Sequence, residues 1–84
     1  MEEQEIGVVD HFFDKISVGM IKLSGALKVG ETIHIKGKDT DFSQQIESMR
    51  IEFDNVNEAG EGDKVGIKVA QVLHTNDKVY KVIV

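Results

Sequence analysis

The chain has 84 residues, a formal net charge of −5, no cysteine and no proline, and 40% of its residues are hydrophobic. That length supports one core, hence a single domain over residues 1–84, because two cores would each be too small to offset chain entropy. The missing thiols exclude disulfide frameworks, thiolate zinc sites and cysteine nucleophiles, and no stretch reaches the roughly 20 apolar residues of a membrane span.

Six strands of about five to nine residues are predicted, separated by turn signals at the spacing of an all-β sandwich or barrel. The first covers residues 5–13, where Ile6, Val8 and Phe12 alternate while Val9 and Phe13 take the other face, a pattern that calls for a bulge. The second, residues 17–24, shifts phase between Val18, Met20 and Ile21, Leu23, so a second bulge is expected. The stretch Gly25 to Gly37, GALKVGETIHIKG, frames the third strand, residues 31–36, with three glycines that read as sharp reversals. Ile33 and Ile35 face inward there, and Leu27 and Val29 are expected to plug the core beneath them.

The fourth strand is predicted over residues 44–53, with Met49, Ile51 and Phe53 inward, Arg50 and Glu52 outward, and Ile46 out of step. Residues 54–63, DNVNEAGEGD, form a turn-rich connection, after which Val65, Ile67 and Val69 alternate as the fifth strand. The sixth runs from Lys78 to Val84 behind an HTND turn. Short, twisted, kinked strands close more readily into a barrel than lie flat, and closure hides sheet edges. The expected fold is therefore a closed, six-stranded, mainly antiparallel β-barrel.

Chemistry-bearing motifs are sparse. His11, His34 and His74 match no metal-ligand spacing. The carboxylates Glu52, Asp54, Glu58, Glu61 and Asp63 lie in a solvated turn region and break the calcium-loop pattern. No phosphate-cradling G-x-x-x-x-G-K-[ST] loop is present, so GTP binding by this chain alone is not expected. No metal, no cofactor and no catalytic residue is predicted. Net charge −5 argues against a phosphate-binding surface overall. Yet Lys15, Lys22, Lys28, Lys36 and Lys38 face only Glu31 in residues 15–38, while residues 47–64 hold six acids against Arg50 and Lys64. The start Met-Glu-Glu-Gln-Glu shows no secretory signal, so a cytoplasmic location is expected.

The segments IGVVDHFF, VGMIKLSGALKVGE, QQIESMRI and EAGEGDKVGIKV, taken in order, resemble the second, β-barrel domain of translational GTPases of the elongation factor Tu type. The resemblance implies a rigid, non-catalytic module docking on RNA, with tRNA, ribosome or a separate translation GTPase as partner. It places Glu47 and Arg50 at the family's contact positions on the central strand, and Lys22 and Lys36, from the lysine-rich residues 15–38, are expected to support them as cations. Gly25, Gly30, Gly62, Asp63 and Gly66 become structural turn residues. Met49 departs from the family's aromatic, and Glu47 with Arg50 also reads as a surface ion pair worth about 0–1 kcal/mol. The carboxy-terminal barrel of U32-type peptidases is similar too, and implies a protein-interaction adaptor instead.

Overall fold

Branched aliphatic residues alternating with polar ones dictate half-buried strands, and the computed structural model, which describes residues 2–83, shows ten of them and no helix among those residues. In chain order they are β1 (Glu2–Phe13), β2 (Val18–Leu23), β3 (Leu27–Lys28), β4 (Thr32–Lys36) and β5 (Asp41–Gln45). Next come β6 (Met49–Ile51), β7 (Asp54–Val56), β8 (Glu58–Ala59), β9 (Lys64–Lys68) and β10 (Lys78–Ile83). The sixth predicted strand is β10, and its last predicted residue, Val84, lies outside the described residues. Among the described residues no helix is long and apolar enough to cross a membrane.

Eight strands make one antiparallel sheet in the order β5-β4-β10-β1-β2-β9-β6-β7, and β3 pairs with β8 in a small second sheet. A closed six-stranded barrel is therefore not found among the described residues: β5 and β7 remain edges, and no pairing of main chains joins them. The reason is local. After Gln45 the chain leaves the ladder, and Ile46 exchanges backbone hydrogen bonds with the turn before β4, Ile46 N donating to Glu31 O and Gly30 N to Ile46 O, both at 2.9 Å. The predicted fourth strand accordingly splits into β5 and β6. Where the curled edge β5 meets the end of β9, the side-chain amide of Gln44 stands in for a peptide rung. Its Nε2 donates to Lys68 O at 2.9 Å, and its Oε1 accepts from Ala70 N at 2.9 Å.

The bulge predicted in the first strand is found, and β1 carries a second one as well. Its register slips between Glu5 and Gly7 against β10, and between Val9 and His11 against β2. β2 runs in unbroken register against β9 with Gly19, Ile21 and Leu23 inward, so the bulge expected in the second strand is absent. The core is aliphatic: Ile6, Ile21, Leu27, Ile33, Ile35 and Ile67 are among its fully buried members. Leu27 enters it from β3, and Val29 packs against it. Phe53, predicted inward, is 95% exposed.

Two glycines hold left-handed backbone that other residues resist: Gly30 at φ 97° and Gly62 at φ 90°. Asp63 follows the second, its carboxylate accepting the Gly60 N–H at 3.0 Å. Gly25 does not adopt a left-handed φ and lies against Ile6. Gly37 is required by proximity rather than by a reversal, because a Cβ there would overlap the carboxylate of buried Asp77.

Candidate functional site

Outward positions of β1, β2, β9 and β6 share one face of the sheet. Register pairs Phe13 with Val18, Val18 with Lys68, Met20 with Gly66, and Gly66 with Arg50, so these side chains stand side by side. Gly66, with no side chain, leaves a low floor, and Val18 leans over it so closely that a Cβ at Gly66 would meet Val18 Cγ1 at 3.3 Å. Two turns add apolar walls. The β1–β2 turn presents Ile16, 60% exposed, and the two-residue β6–β7 hairpin presents Phe53. Such hairpins demand positive φ at the first central residue, which Glu52 adopts at φ 57°. The result is a groove of about 510 Å³ with Phe13, Ile16, Met20 and Phe53 as apolar lining, Arg50 and Lys68 as its cations and Glu52 as its one acid.

Large apolar residues on a soluble surface are ordinary when scattered and informative when contiguous. Here they are contiguous. Neither Arg50 nor Lys68 takes part in an ion pair among the described residues; Arg50 Nε donates to Asn55 Oδ1 at 3.0 Å. The groove therefore offers hydrophobic contact together with two cations that form no ion pair, against one acid, Glu52, on a chain of net charge −5.

A second cluster lies elsewhere. His34 on β4 is held between two carboxylates, Nδ1 at 2.6 Å from Glu3 Oε2 and Nε2 at 2.5 Å from Asp41 Oδ1. The hydrogen bond with Asp41, then that with Glu3, pushes the imidazole above its usual pKa of 6.5, and the same bond to His34 lowers Asp41. With both ring nitrogens engaged, His34 clamps β1, β4 and β5 together and has no nitrogen left for a substrate proton. No group of three or more His, Cys, Asp or Glu among the described residues is arranged to hold a metal.

The four residues predicted to bind RNA or a partner do not converge. Arg50 lies in the groove. Glu47 is exposed in the β5–β6 connection, beside a shallower hollow lined by Gln44, Gln45 and Ala70. Its ion pair with Arg50 is not found among the described residues. Lys22 pairs in register with Lys64 and Val8, while Lys36 sits at the end of β4 opposite Asp41 and Lys78. Sequence reasoning missed Phe53, Ile16 and Met20. Period-two alternation assigned Phe53 to the core, and the available signal was the unpaired apolar Ile16 within a turn-forming segment.

No family model matches the chain. It is 40% identical over 77 residues to an uncharacterized protease of Methanocaldococcus jannaschii, a match covering 90% of this chain and 19% of that protein. A collagenase of Porphyromonas gingivalis is 31% identical over 72 residues, covering 83% of this chain and 20% of its own length. The chain thus spans about a fifth of the length of the curated relatives it matches. Among solved structures, the C-terminal domain of a Geobacillus thermoleovorans protein assigned to the U32 peptidases superposes with a TM-score of 0.90 at 18% identity, covering 95% of this chain and 93% of that one. The selenomethionine form of the same domain gives a TM-score of 0.86 at 18% identity, covering 90% of this chain and 96% of that one.

These findings correct the resemblance to the elongation factor Tu barrel. The similar sequences are proteases, and the fold is that of a U32 peptidase C-terminal domain. Three of the residues that suggested a translation factor serve turn geometry here: left-handed Gly30 and Gly62, and Asp63, whose carboxylate caps Gly60. They record turn geometry, which unrelated functions share.

Proposed function

We propose that the chain is a non-catalytic accessory domain of a U32-type peptidase that binds protein and leaves peptide cleavage to another part of the enzyme. The observation that carries the reading is the 40% identity across 90% of this chain to a protease of which it matches only 19%. A module repeated in proteases but amounting to a fifth of their length suits a docking or positioning role. The chemistry of the chain supports this: the hydrogen-bonded carboxylate–histidine cluster at His34 is a clamp between strands, and the chain also carries an apolar groove.

The test has two arms. The purified chain, incubated with gelatin and with casein, is expected to release no fragments. Deleting the 72 matched residues from the Porphyromonas collagenase is expected to leave cleavage of a short peptide intact while raising KM for collagen. Fragment release by the isolated chain that disappears in His34→Ala would overturn the proposal.

A further inference from the structure

The structure points to an occupant for the groove over Gly66: we infer that it receives an extended acidic and apolar segment from the catalytic part of the peptidase. This rests on the accessory-domain reading and adds to it the chemistry of the partner. The lining combines Phe53, 95% exposed, and Ile16, 60% exposed, with the cations Arg50 and Lys68 and a single acid, Glu52; neither cation forms an ion pair with it or with any other acid among the described residues. Burying Phe53 and Ile16 against a partner removes apolar surface from water. Burying Arg50 beside them without a carboxylate leaves a charge uncompensated. The complementary ligand therefore carries Asp or Glu next to a large apolar residue.

Other occupants fit less well. A second copy meeting this one face to face about a two-fold axis would bring two cations and only one acid from each side into a shared apolar interface, a net like-charge arrangement that disfavours the pair. A polyanion such as RNA would gain from the two cations but not from the apolar walls. The groove, about 510 Å³, is sized for a short segment rather than a folded surface. The relatives supply the source, since about four-fifths of their length lies outside the matched region.

The experiment uses the whole 84-residue chain, fluorescently labelled, against short overlapping peptides covering the Methanocaldococcus protease outside its matched region. Binding is expected to concentrate in peptides that place Asp or Glu beside Leu, Ile or Phe. Phe53→Ser is expected to weaken it about tenfold or more, from the lost burial of one large side chain. Arg50→Glu is expected to abolish it, with Arg50→Lys intermediate and Lys22→Glu, at another register, without effect. An unchanged melting temperature in Phe53→Ser shows that the loss is one of contact and not of folding. Binding insensitive to Phe53→Ser and Arg50→Glu overturns the inference. So does stronger competition by gelatin or casein fragments, which would make substrate the occupant and leave the accessory reading standing.

Discussion

Replacing Gln44 tests the claim that one side chain bridges the seam of this sheet. In Gln44→Ala, Lys68 O loses its donor and Ala70 N its acceptor, two bonds of 2.9 Å each. A net contribution of about 0.5–1.5 kcal/mol per hydrogen bond, taken toward the low end at a half-buried position, predicts a loss of about 1–2 kcal/mol. For a domain of this size that lowers Tm by about 5–15 °C. Gln44→Glu keeps the acceptor for Ala70 N but turns a carboxylate oxygen toward Lys68 O, so near neutral pH it should lose as much as alanine. Below about pH 4 the protonated acid can donate again, and much of the loss should return. Urea titration followed by far-UV circular dichroism measures the differences, since the chain has no tryptophan and one tyrosine. Hydrogen exchange at the Ala70 amide locates them. A Gln44→Ala variant as stable as the parent, or an Ala70 amide that exchanges at the open-chain rate, would refute the bridge.

The His34 clamp makes stability depend on pH in a defined direction. A raised imidazole pKa stabilises the fold fully below the unfolded value of about 6.5, and that contribution fades as pH rises through the folded value. The lowered pKa of Asp41 acts oppositely, its contribution holding above 3.8 and fading as pH falls through the depressed value. The gap in stability between parent and His34→Gln should therefore be widest between about pH 4 and 6.5 and narrow above it; a gap that fails to narrow as pH rises from 6.5 through the raised folded value contradicts the clamp. Gly37→Ala should cost about 1–3 kcal/mol, because its Cβ has no room beside Asp77. In an Asp77→Ala background the same change should cost much less, and a double-mutant cycle by urea titration that shows additivity would refute the contact.

Strand positions were legible where one face is buried and the other wet. Ile33 and Ile35, and Val65 and Ile67, alternate in sequence and lie at 0% exposure in the fold. Such alternation specifies a face, but not a neighbour. It could not show that Ile46 leaves the ladder to bond with residues 30 and 31, and so could not distinguish a sealed ring of strands from a sheet bridged by Gln44. The hairpin at Glu52 was illegible for a related reason. Asp54 and Asn55 carry the ordinary turn signal, yet they pair with Ile51 and Arg50 inside the hairpin, and the reversal falls on Glu52 and Phe53. The groove suffered most, since it is assembled from four strands and two turns that are distant in sequence.

Why the aromatics ended up outside follows from the size of the interior. A curled sheet of short strands leaves a narrow core, and stiff branched side chains fill it at low entropic cost. None of the four phenylalanines is fully enclosed, Tyr80 is only half-buried, and the buried hydrophobic set is Ile, Val, Leu, Met and Ala. Phe12 and Phe42 cover the core from its margin, whereas Phe13 and Phe53 contribute little to it. Exposed residues away from caps and networks change stability by less than about 0.5 kcal/mol when replaced, so Phe53→Ser should leave the urea midpoint almost unmoved. The fold can then carry a hydrophobic docking surface without depending on it. A large loss of stability in Phe53→Ser would show instead that the hairpin folds back onto the core, and the groove would cease to be a separate surface.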